Sequence, residues 1–138
     1  MNAPGIKAGE GHRGDLNAAS FLNGKTILLV EDEFLLALQL EELLQSRGGT
    51  VLGPFGQLDD AMQAAQREEF DFAILDVNLN GESVWPVAHK LREMDIPFVI
   101  ATGGHVEPPP PEFKDVPLIE KPYTIDRVTP AIERALAK

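Results

Sequence analysis

The sequence predicts an α/β domain in which helices cover both faces of a five-stranded parallel sheet. Short, continuous apolar runs alternate along the chain with segments of helical periodicity. A continuous apolar run is typical of a strand that is buried on both faces, as in parallel sheets. The segments between the runs are long enough for right-handed crossovers, which connect neighbouring parallel strands.

The first part of the domain is predicted to contain three strands and two helices. Residues 26–30, TILLV, form the first strand, and leucines recur at helical spacing over residues 36–44 before a Gly-Gly pair ends the helix. Residues 50–52 form a weak second strand that a Gly-Pro pair ends, and apolar residues share one face of a second helix over residues 58–65. The third strand is predicted at residues 70–75.

The second part adds two strands and two helices. Ser83 is suited to cap a third helix with Pro86 in its first turn, where the missing N–H is harmless. Residues 98–101 and 116–119 are the fourth and fifth strands. Pro130 has a threonine before it and fits the first helical position, which predicts that the regular part of the last helix begins late.

The stretch between the fourth and fifth strands is expected to lack an ordinary helix. Residues 103–115 read GGHVEPPPPEFKD. Four consecutive prolines donate no backbone hydrogen bonds and favour extended backbone, so we expect a fourth helix that is short or replaced by a loop. The glycines after Thr102 suggest that signalling, if present, works through ordering of residues 102–115.

The chain divides into a tail and one folded domain. Residues 1–23 are rich in Gly, Ala and Asn and lack hydrophobic periodicity, which predicts a disordered N-terminal tail before a domain over residues 24–138. The N-terminus has no apolar stretch long enough for an export signal or a membrane span. The chain also has no cysteine and suits a reducing compartment. We therefore expect a cytoplasmic protein without membrane contact.

The charge balance argues against nucleic-acid binding. The formal net charge is −10, from 22 acidic and 12 basic residues. Such a surface repels phosphate backbones, and no cluster of Lys and Arg with interleaved aromatic residues offsets it.

Charged and polar side chains follow four of the predicted strands. Glu31 and Asp32 come directly after the first strand, Asp76 after the third, Thr102 after the fourth and Lys121 after the fifth. The carboxyl ends of parallel strands meet at one edge of the sheet, where α/β proteins bind ligands. Taken singly, each residue has an ordinary structural explanation, such as an acid beginning a helix or a Lys-Pro turn. Their coincidence at one end of the sheet favours a functional site.

Three converging carboxylates imply a cation. At an effective dielectric constant of about 20 they repel one another by roughly 4 kcal/mol per close pair. Oxygen ligands without a nearby His or Cys favour Mg²⁺. Asp76 is the central carboxylate and is predicted to be a nucleophile that forms an aspartyl phosphate. Lys121 and Thr102 are expected to contact the new phosphoryl oxygens.

The motifs LLVEDE, ILDVNLNG, ATGG and EKPY resemble those of response-regulator receiver domains over residues 25–138. The resemblance implies a flavodoxin-like receiver fold and a phosphorylatable single-domain response regulator in a two-component or phosphorelay pathway. It implies that a sensor histidine kinase or a histidine phosphotransfer protein donates phosphate from a phosphohistidine. The regulator would then act on a downstream protein partner, with no enzymatic activity beyond slow autodephosphorylation. The string PFVIATGGH is further similar to the FATGUY group of single-domain receivers of alphaproteobacteria.

The resemblance also assigns roles to individual residues of this chain. Each motif supplies one part of the site, and the phosphate acceptor is the aspartate of ILDVNLNG. The implied metal ligands are Glu31, Asp32, Asp76 and the backbone carbonyl of Asn78, and the implied phosphoryl-binding residues are Thr102, Gly103 and Lys121.

The chain departs from the receiver pattern near the lysine. Leu118 occupies the position where the family commonly has an aromatic ring that moves inward when the threonine engages phosphate. The usual coupling of ring and hydroxyl is therefore not expected. Pro122 keeps the family's Lys-Pro pair, and Tyr123 after it is interpreted as a packing residue or part of an interaction surface. The acceptor loop also lacks the customary proline.

Two alternatives stay open at this point. A pseudo-receiver would keep the fold as an interaction scaffold and would not be phosphorylated. An aspartate-nucleophile phosphatase of haloacid-dehalogenase type also begins from a carboxylate after a strand, but such enzymes need a second acid two residues on, where this chain has Asn78.

Overall fold

The central sheet of the protein is parallel and five-stranded, as predicted. The computed structural model describes residues 21–103 and 109–137. The five strands pair in the order β2-β1-β3-β6-β7, and a two-stranded antiparallel hairpin, β4-β5, follows the central strand. The strands are β1 (Thr26–Val30), β2 (Thr50–Phe55), β3 (Phe72–Asp76), β4 (Asn78–Leu79), β5 (Glu82–Ser83), β6 (Phe98–Thr102) and β7 (Leu118–Glu120).

Helices cover both faces of this sheet because successive strand residues point to opposite sides. In β1, Leu28 and Val30 belong to one buried cluster, while Ile27 and Leu29 belong to the other. The helices are α1 (Phe34–Ser46), α2 (Leu58–Arg67), α3 (Trp85–Glu93) and α4 (Ile125–Leu136), of which α2 and α3 pack on the first cluster and α1 and α4 on the second. Among the described helices, none combines the length and the apolar character that crossing a bilayer demands.

The N-terminal segment joins the core before the predicted boundary at Gly24. Leu22 is fully buried, and its N–H donates to the carbonyl of Arg47 at 3.0 Å. Phe21 packs against the same cluster. The predicted tail otherwise lies outside the described residues, as do residues 104–108 of the Gly-Pro-rich connection and Lys138.

The second strand is longer than predicted. It continues through the Gly-Pro pair to Phe55, and its pairing with β1 shifts register between Leu28 and Val30. Gly53 makes this shift possible, since its φ is +114° and a Cβ there would lie 2.7 Å from the carbonyl oxygen of Leu29. The third strand begins at Phe72 rather than at residue 70.

The prediction that Ser83 caps the third helix is wrong. Ser83 lies in β5, and Val84 occupies the N-cap position without a side-chain capping bond. Pro86 does lie in the first turn, as predicted. Asn80 and Gly81 both have positive φ, which closes a tight hairpin. Ser83 pairs with Asn78 in this hairpin and therefore lies outside the helix.

The late start predicted for the last helix is also wrong. The helix begins at Ile125, and Pro130 lies inside it. Pro130 removes one backbone hydrogen bond, but the buried residues Val128, Ile132 and Ala135 hold both sides of the proline against the sheet. Burial of this face outweighs the local preference of proline for a helix start.

A short 3₁₀ turn at Pro111–Phe113 stands where an ordinary fourth helix would lie, which agrees with the prediction. Phe113 is buried and anchors the turn to α3. Its ring stacks on Trp85 with centroids 5.5 Å apart, and the guanidinium of Arg92 lies 5.1 Å from its centroid. Arg92 also donates to the backbone carbonyl of Glu112 at 3.2 Å. The turn is therefore fixed to α3 by the buried ring of Phe113 and by the hydrogen bond from Arg92.

We predict that Phe113→Ala lowers the free energy of unfolding by about 3–5 kcal/mol, because it leaves a cavity beneath the turn. Urea unfolding followed by the emission of Trp85, the single tryptophan, measures the loss. Leu118→Ala is the matched control, since Leu118 is 49% exposed and its truncation should cost less than about 1 kcal/mol. Equal unfolding midpoints for Phe113→Ala and wild type would contradict this role.

Candidate functional site

The strand ends bring the predicted polar residues to one edge of the sheet. Val30 pairs with Leu75, and Asp76 pairs with Ala101, so the carboxyl ends of β1, β3 and β6 align. Glu31 and Asp32 follow β1 directly, Asp76 is the last residue of β3 and Thr102 is the last of β6. Lys121 follows β7, and its backbone N–H donates to the carbonyl of Thr102 at 2.8 Å.

An ammonium group joins two of the carboxylates. Lys121 Nζ lies 2.9 Å from Glu31 Oε1 and 3.0 Å from Asp76 Oδ2, with a further contact of 3.1 Å to Glu31 Oε2. The side chains are 9% exposed for Lys121, 0% for Glu31 and 8% for Asp76. A charged group removed from water in this way needs a partner of opposite charge. The ammonium is that partner for both acids.

Glu31 accepts hydrogen bonds at both carboxylate oxygens. The hydroxyl of Tyr123 donates to Oε1 at 2.6 Å, and the N–H of Glu33 donates to Oε2 at 3.0 Å. With the two contacts from Lys121, four donor contacts meet this one carboxylate. Tyr123 is 1% exposed and packs in the core, and its hydroxyl also makes a polar contact with the site.

The surroundings change the proton affinity of the acidic nucleophile candidate. Burial raises the pKa of Asp76 to about 7, with the negative charge of Glu31 adding to the effect and the hydrogen bond from Lys121 opposing it. In the folded protein the carboxylate of Asp76 is therefore costly to ionise without a further cation.

The pKa values of the two neighbouring groups, Lys121 and Tyr123, are both raised, which keeps the lysine protonated and the tyrosine neutral. Burial alone would lower the pKa of Lys121, but its hydrogen bonds to Glu31 and Asp76 outweigh burial and raise it. Burial, together with the charge of Glu31, raises the pKa of Tyr123, which stays a neutral donor.

The acceptor loop is a hairpin that orients Asp32. The N–H of Asn80 donates to Asp32 Oδ2 at 2.9 Å, and its side-chain Nδ2 donates to the carbonyl of Gly56 at 3.0 Å. The N–H of Gly81 donates to the side-chain oxygen of Asn78 at 2.8 Å. Asn80 therefore ties the loop after β3 to the loops after β1 and β2.

Two further predicted residues, Gly103 and Pro122, lie beside the lysine. Gly103 lies next to it, since a Cβ at this position would be 3.5 Å from Lys121 Cδ, an ordinary van der Waals contact. Both residues line an open groove of about 370 Å³ together with Pro122. Leu118 begins β7 and is 49% exposed.

The acidic cluster has the chemistry of a site for a hard divalent cation. Glu31, Asp32 and Asp76 each offer an oxygen, and these oxygens lie within 4.8 Å of one another. Oxygen donors suit Mg²⁺. Four donor contacts already meet Glu31. Asp32 accepts one, from the N–H of Asn80. Asp76 accepts one from Lys121 at 3.0 Å and a longer one, 3.4 Å, from the N–H of Asn78, so the fit is best at the two aspartates.

The family follows from comparison with known proteins. The response-regulator receiver domain family matches residues 27–133. The chain belongs to this family. Receiver domains act in two-component signalling, bind Mg²⁺ at an acidic pocket and interact with histidine kinases and downstream proteins, and they are generally not enzymes.

Solved receiver structures resemble this one closely. The solution structure of SdrG from Sphingomonas melonis Fr1 is 41% identical with a TM-score of 0.71, over 82% of this chain and 93% of that chain. The BeF3-activated conformation of SdrG is 41% identical with a TM-score of 0.69, over 82% of this chain and 96% of that chain.

A curated relative is longer than this receiver domain. The transcriptional regulatory protein PdtaR of Mycobacterium tuberculosis is 26% identical over 118 residues, which is 83% of this chain. The chain spans only 58% of that protein's length.

Two contacts of the receiver site were not predicted from the sequence. The Asn80-Gly81 pair is a strong hairpin signal, and it would have located the loop that holds Asp32. Nothing local marks Tyr123 as a partner of Glu31, since 92 positions separate the two residues.

We predict that Asp76→Asn stabilises the domain without Mg²⁺, and more so as pH rises. The pKa of Asp76 is raised on folding from 3.8 to about 7, so ionisation costs stability progressively across this window. Urea unfolding in a chelator should show a gain on the order of 1–3 kcal/mol at about pH 8 and a smaller gain at about pH 5. The exposed Asp115→Asn is the control. A gain that is independent of pH would contradict the assignment.

Proposed function

We propose that this receiver domain accepts a phosphoryl group on Asp76 and passes the signal on by binding another protein. The observation that carries the proposal is the position of the Asp76 carboxylate, at the end of the central strand, 3.0 Å from the ammonium of Lys121 and within an acidic cluster. Nucleophile, counter-ion and cation ligands are the three parts that phosphoryl transfer to a carboxylate needs.

In the proposed reaction an oxygen of Asp76 attacks phosphorus. The bond from phosphorus to the donor's imidazole nitrogen breaks as the new P–O bond forms. Lys121 then pairs with phosphoryl oxygens, and the hydroxyl of Thr102, at the end of the adjacent strand, contacts one of them. Gly103, the next residue, lines the same open groove as the lysine.

Mg²⁺ would be held by Asp32, Asp76 and the backbone carbonyl of Asn78. When bound it offsets negative charge on the carboxylates and on the transferring group. Glu31 was predicted as a further ligand, but its oxygens already accept from Tyr123, Glu33 and Lys121. It fits better as a nearby negative charge that attracts the cation without binding it directly.

The phosphate donor in this proposal is a phosphohistidine on a sensor histidine kinase or a histidine phosphotransfer protein. The existence of a BeF3-activated conformation of SdrG, 41% identical to this chain, supports an activatable site. We further propose membership of the FATGUY group on the string PFVIATGGH. We also propose a receiver domain over residues 24–138 after an N-terminal tail, with Phe21 and Leu22 extending its core. A cytoplasmic location without nucleic-acid or membrane binding completes the proposal.

We predict that acetyl phosphate with Mg²⁺ adds one phosphate to the wild type and none to Asp76→Asn, as measured by intact mass. Asp115→Asn, an exposed aspartate, is the matched control and should react as the wild type does. No adduct on the wild type would favour the pseudo-receiver scaffold, and continued turnover of the donor in excess of the protein would favour a phosphatase.

We predict that Asn80→Ala weakens Mg²⁺ binding, because the variant loses the bond to Gly56 and strains a residue whose φ is +52°. Asn80→Gly is the matched control, since it keeps the backbone conformation and loses only the side-chain bond. Calorimetric titration should give a severalfold weaker affinity for Asn80→Ala and an intermediate value for Asn80→Gly. Unchanged affinity in Asn80→Ala would show that the hairpin does not orient Asp32.

A further inference from the structure

The contacts of Tyr123 go beyond packing. Its ring is buried among the residues under α4, yet its hydroxyl is directed at a carboxylate of the site and lies 2.6 Å from Glu31 Oε1. Its ring centroid is 5.9 Å from Lys121 Nζ. Tyr123 therefore adjoins both members of the buried ion pair.

Glu31 depends on Lys121 for its charge compensation. The lysine places its ammonium between Glu31 and Asp76, with contacts of 2.9 and 3.0 Å. If the ammonium turns toward a phosphoryl group on Asp76, its contact with Glu31 weakens. A fully buried carboxylate that loses a cationic partner is costly unless other donors remain.

Two donors would remain on Glu31 after such a movement. One is the backbone N–H of Glu33 at 3.0 Å, and the other is the Tyr123 hydroxyl. A hydrogen bond to a charged acceptor is stronger than one between neutral groups, and this one would be one of the two donor contacts left on Glu31. The hydroxyl is thus worth more in the phosphorylated state than in the free state.

We propose that Tyr123 is a positioning residue for phosphoryl binding: its hydroxyl holds and compensates Glu31, which releases Lys121 to the phosphoryl group. The inference rests on the proposed phosphorylation of Asp76. A tyrosine that served packing alone would not need its hydroxyl, so Tyr123→Phe separates the two roles.

The experiment measures binding of BeF3⁻, a phosphoryl mimic, in the presence of Mg²⁺ by ¹⁹F NMR and calorimetry. Tyr123→Phe should bind BeF3⁻ about threefold to tenfold more weakly than the wild type, because it lacks one charge-assisted hydrogen bond. Its affinity for Mg²⁺ alone should change less than about twofold, since Asp32 and Asp76 are untouched. Ile132→Val, a buried change in the same cluster, controls for a general loss of stability.

A double-mutant cycle with Glu31→Gln makes the test specific. In the Glu31→Gln background the buried charge is gone, so adding Tyr123→Phe should no longer weaken BeF3⁻ binding. The same loss in both backgrounds, or equal affinity of Tyr123→Phe and wild type, would overturn the inference. Failure of the wild type itself to bind BeF3⁻ would instead count against the proposed function.

Discussion

The ammonium of Lys121 holds two buried carboxylates together, and the geometry of the site depends on this interaction. Glu31 and Asp76 come from neighbouring strands and would repel each other at the rim of the sheet. At an effective dielectric constant of about 20, each close pair of like charges costs roughly 4 kcal/mol. Lys121 reaches the rim because it directly follows β7 and its backbone is tied to Thr102. The parallel sheet thus brings together both the carboxylates that repel each other and the ammonium that compensates them.

The same interaction compensates the negative charge of the site only in part, which leaves the site able to bind a further cation reversibly. Burial and the charge of Glu31 raise the pKa of Asp76 to about 7 even with the lysine present, so a second cation would be stabilising there. Asp32 lies close to Asp76 and is oriented by the hairpin through the N–H of Asn80. A phosphoryl group on Asp76 would compete with Glu31 for the ammonium of Lys121. The hydroxyl of Tyr123 is positioned to lower the free-energy cost to Glu31 of losing that ammonium.

The sequence predicted what depends on local pattern and missed what depends on distant contacts. The order of strands and helices, and the strand ends that carry Asp76 and Lys121, follow from apolar runs and topology rules. The helix start near Pro130 was misplaced because burial of one helix face outweighs a local preference. The contact of Tyr123 with Glu31 joins residues 92 positions apart and has no local signature. The hairpin at Asn80 is different, since its Asn-Gly signal was present in the sequence.

A double-mutant cycle in stability between Lys121→Met and Asp76→Asn tests the central interaction most directly. We predict that, in chelator at about pH 8, Lys121→Met costs several kcal/mol of unfolding free energy when Asp76 is present, because two buried carboxylates lose their cation. In the Asp76→Asn background the cost should be smaller by at least about 1 kcal/mol. An equal cost in both backgrounds would show that Lys121 does not hold the two carboxylates together.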